Sequence, residues 1–214
     1  MQSYIEFITE EEVKSWIDDH YSKFIDDVQN NIGLSERNYA DIVYEYGGNA
    51  YKIYNELLRL IDGRNEIIRA NIENEYYKEV FSEIEILKKS ILQNKLNDNI
   101  VVYRYVKLEL SEIFRMFIKS KEEILIERGF MSTTLLPYCT GMFKLGEREK
   151  YNVLFKIYVP IGTPSIPLFF NEKLTLLKEY EMLFLPNTKF KLTKKSFDLN
   201  AKIPVIEFLM FNDL

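Results

Sequence analysis

A chain of 214 residues, 47% hydrophobic, 29% charged and 14% aromatic, is long enough for one sizeable core and short for two, which excludes a largely disordered protein. A net charge of -5 argues against a nucleic-acid partner, and no apolar run reaches the roughly 18 residues of a membrane span. One cysteine (Cys139) and one histidine (His20) exclude an internal disulfide, a cysteine metal site and most zinc hydrolase patterns. A Ser-His-Asp triad would have to use His20, which sits in an acidic helical stretch and reads as a surface residue. The N-terminus, Met1-Gln2-Ser3-Tyr4-Ile5-Glu6, lacks the basic and apolar regions of a signal peptide, so the chain as given reads as soluble. Neither a Walker phosphate loop nor Gly-x-Gly-x-x-Gly occurs, so a nucleotide would have to be held another way.

Thr9-Glu10-Glu11-Glu12 has the form of a capping box, with Ile8 placed to staple against Val13. It predicts a helix from about Glu10 to Val28 whose buried stripe is Val13, Trp16, Ile17, Phe24 and Val28. Ser35 is the expected cap of a second helix carrying Tyr39, Ile42, Val43 and Tyr46, broken by Gly47-Gly48. A third helix, from about Asn49 to Ile61, puts Tyr51 and Asn55 one turn apart on one face, and a fourth is expected from about Asn74 to Asn94.

After Asn97-Asp98-Asn99 the pattern becomes Ile100-Val101-Val102-Tyr103-Arg104-Tyr105-Val106, a β-branched and aromatic strand. Alternation puts Arg104 on the face of Ile100, Val102 and Val106, where a guanidinium needs an anion: a structural carboxylate or a bound phosphate would serve. A short helix around Glu109 to Phe117 leads through Glu127-Arg128-Gly129 to a strand ending Ser132-Thr133-Thr134. A loop over 136–150 follows, then strands near 152–159 and 165–170, the loop 171–178, and strands near 189–193 and 203–211. Between them lies Lys178-Glu179-Tyr180-Glu181-Met182-Leu183-Phe184-Leu185, read as a strand with Glu179 and Glu181 on one face, about 6.5–7 Å apart, and Tyr180 on the other. The plain reading of Glu-x-Glu is two solvated strand positions. Two carboxylates sharing one site would instead raise each other's apparent titration and leave one more basic. No linker separates the halves, so the expectation is one α+β domain over 1–214: a helical part, 1–97, packed on a mixed, mainly antiparallel two-sheet β core, 98–214.

In order, the strand Arg (Tyr103-Arg104), the hydroxyl strand (Ser132-Thr133-Thr134) and Glu179-x-Glu181 resemble the Arg-Ser-Glu class of mono-ADP-ribosyltransferase toxins, above all the catalytic domains of actin-modifying binary toxins and the related Rho-modifying exoenzymes. The early-helix residues that the family sets against the dinucleotide fall on Tyr46, Tyr51 and Asn55. Tyr105 stands where binary toxins carry a second Arg, Thr134 replaces the usual final Ser, and Leu176 stands where members often have a target-touching aromatic. The family's later diphosphate Arg is assigned to Arg148, with Lys150 as the alternative.

The resemblance implies that NAD is a substrate, with no metal, and that ADP-ribose passes to an arginine of a protein, actin being a candidate. Glu181 would stabilise the ribosyl cation, Ser132 would orient Glu181, and Arg104 would take the phosphates; Glu179 is the residue found in arginine-modifying members. It also implies a secreted toxin or effector delivered into a host cytosol, with a separate translocation component, although there is no room for the adaptor copy that binary toxins carry. The rival readings are an NAD glycohydrolase on the same fold, a catalytically inactive adaptor, and a plain α+β interaction domain.

Overall fold

A computed structural model of the chain describes residues 3–34, 36–62, 75–118, 124–137, 152–168, 180–198 and 203–211. Helix α1 (Glu10–Asn31) starts at the capping box, with Thr9 Oγ1 accepting from the Glu12 amide at 3.2 Å and Glu12 Oε2 accepting from the Thr9 amide at 3.1 Å. Such a cap contributes about 1 kcal/mol. The expected staple does not form: Ile8 is 80% exposed, and Phe7 is buried against Trp16 instead. The reason lies upstream, where Ile5 bridges Ile100; the extended alternation that follows turns Phe7 inward and Ile8 outward. Val13, Trp16, Ile17, Tyr21 and Val28 form the buried face of α1, with Phe24 half-buried beside it. His20 stacks on Trp16, and its Nε2 lies 3.0 Å from Asp98 Oδ2, away from the expected site residues.

The second helix, α2 (Tyr39–Glu45), begins later than the sequence suggests. Asn38 caps it and pairs with Asp41 in a capping box; Ser35, the expected cap, lies outside the described residues. Gly47-Gly48 does not break the helix either. Tyr46–Ala50 forms a π-helical segment that runs directly into α3 (Tyr51–Asp62), so the glycines loosen the backbone without ending it. Helix α4 (Glu75–Gln93) packs Val80, Ile84, Leu87 and Ile91 against α2 and α3, and α5 (Leu110–Ile118) lies beyond the first strand.

Eight strands follow: β1 (Ile100–Val106), β2 (Ile124–Glu127), β3 (Met131–Thr134), β4 (Val153–Val159), β5 (Ser165–Pro167), β6 (Glu181–Phe184), β7 (Thr188–Asp198) and β8 (Ile203–Phe211). Their order in one mixed sheet is β2-β7-β8-β4-β1-β3-β6-β5, antiparallel except for β4 with β8. The two expected sheets survive as wings of this ladder. β1 and β4 align over their full length from Ile100↔Val159 to Val106↔Val153, whereas β1 and β3 meet at Tyr103↔Thr134. That narrow join divides the one continuous sheet into a larger wing, β2-β7-β8-β4-β1, and a small wing, β3-β6-β5. β2 was not foreseen, being a four-residue edge strand with no more signal than its alternation.

Two cores result. One lies between α1 and the sheet, around Trp16, Val102, Met182, Phe184 and Phe208; the other joins the helices to the small wing, with Tyr46, Tyr54 and Leu87 packed on Phe130, Ile166 and Leu183. Pro167 is tolerated because β5 ends the sheet, where a missing amide costs no ladder bond.

Candidate active site

The small wing and the π segment meet at the hydroxyl of Tyr46. In an unbroken α-helix Tyr46 and Asn55 would lie on opposite faces, about 13 Å apart along the axis. Here the π segment redirects the chain, and Asn55 Nδ2 donates to Tyr46 Oη at 3.1 Å. Asn55 then uses its oxygen on the β side, where Oδ1 accepts from the Phe130 amide at 2.7 Å. One amide side chain, 9% exposed, thus fixes α3 to the residue that opens the hydroxyl strand. Gly129 is required at this contact, because a Cβ there would stand 2.6 Å from Asn55 Oδ1. The Tyr46 ring packs edge-on against Phe130 at 5.4 Å and against Tyr51 at 6.5 Å. Tyr46 itself is 1% exposed, so in this conformation it presents its hydroxyl to the site rather than a ring face, while Tyr51, 42% exposed, has a ring open to solvent.

Pairing between β3 and β6 brings in the remaining groups. Thr134 stands opposite Glu181 and Ser132 opposite Leu183, and cross-strand partners share a face of the sheet. Leu183 packs in the core that holds Tyr46, so this face is turned to the helices. The Ser132 hydroxyl shares a hydrogen bond with that of Tyr46. Burial pushes the Tyr46 hydroxyl well above the usual tyrosine range; the Asn55 hydrogen bond pulls it down, the Glu181 charge pushes it up again, and Ser132 and Arg104 pull it down. The opposing effects of Glu181 and Arg104 on one hydroxyl put an acid and a guanidinium within electrostatic reach of the same point.

The strand carrying Glu181 does not start where the alternation predicted. It begins at Glu181 itself, and Tyr180 has a φ of +44°. A non-glycine residue in that region costs on the order of 1 kcal/mol. Tyr180 is held there by burial and by its hydroxyl, which donates to Glu10 Oε2 of α1 at 2.6 Å, while its carbonyl accepts from the Leu135 amide. Simple strand alternation therefore does not run back through Tyr180 to Glu179. Glu179, Arg148 and Lys150 lie outside the described residues.

Arg104 has the anion its position demands, and it is a carboxylate. Arg104 Nη1 lies 3.2 Å from Glu127 Oε2. The other oxygen, Oε1, accepts from Arg59 Nη2 at 3.1 Å and from the Gly129 amide at 3.1 Å. Two guanidiniums thus share one carboxylate and leave a net positive charge, the balance a diphosphate needs. The sequence reading missed Glu127 and Arg59. The signals were present: Arg59 falls one turn after Asn55 on the same face of α3, and Glu127 stands two residues before the glycine that Asn55 requires.

An open depression of about 670 Å³, lined by His20, Lys23, Asp27, Tyr39, Ser90 and Asn94 among others, shares no residue with this constellation. Among the described residues no group of three His, Cys, Asp or Glu side chains is placed to hold a metal ion, and no helix is long and apolar enough to cross a membrane.

The architecture is that of the ADP-ribosyltransferase toxins. Plx2A, an ADP-ribosyltransferase toxin from Paenibacillus larvae, superposes with a TM-score of 0.69 at 21% identity, over 98% of this chain and all (100%) of that one. C3stau2 from S. aureus, solved with NAD, gives 0.68 at 16% identity over 99% and 100%, and the ADP-ribosyltransferase Vis, solved with agmatine, gives 0.63 at 20% over 97% and 88%. No curated protein matches by sequence. The family model of the ADP-ribosyltransferase exoenzymes matches residues 14–210, and the chain belongs to that family. It is a toxin-type mono-ADP-ribosyltransferase with NAD as its substrate.

Proposed function

We propose that the chain, as a single catalytic domain, transfers ADP-ribose from NAD to an arginine side chain of a target protein. The observation that carries this reading is the Tyr46 hydroxyl, which is hydrogen-bonded by Asn55 from α3 and Ser132 from β3 and lies within range of the charges of Glu181 from β6 and Arg104 from β1. Four elements distant in sequence supply an acid, a hydroxyl and a guanidinium to one point. That suits a reaction in which the nicotinamide leaves with its bonding pair and positive charge develops on the ribose.

In this reading the Glu181 carboxylate faces the developing charge, and because it is fixed before the reaction its stabilisation costs no reorganisation. Ser132 and Tyr46 hold the surrounding hydroxyl network in register. Arg104 and Arg59 bind the diphosphate, with Arg148 as a third cation. Tyr51 offers its exposed ring to the nucleotide. Glu179 orients the incoming guanidinium and takes the proton released as its nitrogen bonds to the ribose carbon, since a protonated guanidinium is a poor nucleophile. The agmatine bound to Vis, itself a guanidine, is consistent with an arginine acceptor in this fold. Delivery by a separate translocation component into a host cytosol, with actin as the first acceptor to assay, completes the proposal.

The test is to incubate the protein with labelled NAD and host lysate, measure nicotinamide release in parallel, and map the modified residue by mass spectrometry. Label on arginine supports the reading. Label on another residue type overturns the acceptor, and nicotinamide release with no protein label makes the chain an NAD glycohydrolase.

A further inference from the structure

The carboxylate of Glu127 touches three separate parts of the fold. Its Oε2 faces Arg104 on β1; its Oε1 accepts from Arg59 on α3 and from the Gly129 amide in the turn before β3. The next residue, Phe130, gives its amide to Asn55, so the turn that anchors Glu127 also locks the Tyr46 network. Glu127 sits at the end of edge strand β2, in register with Thr188 of β7, and its side chain is 20% exposed against 24% for Arg104 and 48% for Arg59.

We propose that Glu127 is a positioning residue for NAD: its carboxylate holds the Arg104 and Arg59 guanidiniums in one fixed orientation, with donors left over for a diphosphate. A guanidinium carries five N–H donors, so the Nε and Nη2 bonds of Arg59 and the single Nη1 contact of Arg104 to Glu127 orient both arginines without exhausting them. An unheld arginine would lose rotamer freedom on binding, and that ordering cost, paid in advance here, would reduce affinity. The inference rests on the proposed phosphate role of Arg104. Direct electrostatics predicts the opposite sign, because deleting a negative charge next to an anion site should tighten the anion.

The experiment compares Glu127→Gln and Glu127→Asp with the parent protein in NAD hydrolysis, in NAD binding by calorimetry, and in inhibition by nicotinamide. Glu127→Gln is expected to raise both KM and Kd for NAD about tenfold, the value of one charge-assisted hydrogen bond, with kcat and nicotinamide inhibition nearly unchanged. Glu127→Asp, which keeps the charge, should recover part of the affinity. Unchanged or tighter NAD binding in Glu127→Gln overturns the proposal, as does a lowered unfolding temperature with unaltered NAD affinity, which would make the cluster structural. Arg104→Ala, run alongside, separates the two readings. If it weakens NAD while Glu127→Gln does not, only the positioning role fails; if it too leaves NAD affinity intact, the phosphate role of Arg104 fails.

Discussion

Helix α3 has a glutamate cluster on either side, and the two are built on opposite charge balances. On the side of α2 and α4, Glu83 is 8% exposed, accepts from Tyr54 Oη at 2.7 Å and pairs with Arg37, which also bridges Glu45. There, two carboxylates share one guanidinium and a neutral hydroxyl fills the remaining site. On the side of β1 and β2, Glu127 is, among the described residues, the one carboxylate paired with Arg104 and Arg59. Tyr54 and Asn55 are neighbours in sequence, yet one closes the first cluster and the other ties the turn beside the second. A cluster in which acids outnumber cations is a fastener. One in which, among the described residues, cations outnumber acids is prepared for a further anion.

The contrast is sharpened most by the acids next to the second cluster. Glu181→Gln should cut both NAD hydrolysis and transfer by on the order of 10²–10³, the usual loss when a group aimed at developing charge is removed. Nicotinamide release and protein labelling check it, and full activity would remove Glu181 from the reaction. Glu179→Gln should abolish labelling of arginine while NAD hydrolysis stays measurable, because water needs no help in losing an arginine proton. Equal loss of both activities would refute that division of labour.

A smaller effect is expected where the cationic side is cut. Arg104→Ala should weaken NAD binding roughly 10- to 100-fold, the value of one or two charge-assisted bonds, with little change in unfolding temperature. The reverse pattern, lost stability with intact affinity, would place Arg104 among the fasteners. Glu83→Gln is the mirror experiment. It leaves Arg37 and the Tyr54 hydroxyl poorly matched and should cost about 1–2 kcal/mol, a fall of roughly 4 °C in Tm, with NAD affinity unchanged.

The smallest difference is in pH response. Burial holds the Tyr46 and Tyr54 hydroxyls above the usual tyrosine value, and for Tyr54 the Glu83 charge adds to it. Their stabilisation is fully present below the unfolded value of about 10 and is lost as pH rises through the raised folded values. Tm should be level up to about pH 10 and then decline, and Tyr54→Phe should flatten that decline. A Tm that falls equally fast in the variant would assign the alkaline loss to other groups.

Local chemistry could be read directly from residue order. The capping box at Thr9, the buried face of α1, the strand around Arg104 and the hydroxyl strand at Ser132 are each written within about ten residues, so periodicity and hydrogen-bonding preference decide them. The Arg, Ser and Glu elements and the Tyr46, Tyr51 and Asn55 positions could be named for the same reason, because each belongs to a short recognisable stretch. What the tertiary structure decided are contacts between stretches far apart. Whether Gly47-Gly48 ends a helix or only loosens it depends on Asn55 finding both Tyr46 and Phe130. Tyr180 leaves the extended conformation because Glu10, at the other end of the chain, holds its hydroxyl. Arg104 could be seen to need an anion, but the choice of Glu127 follows from the antiparallel pairing of a four-residue edge strand with β7, a pairing energy that no local pattern records.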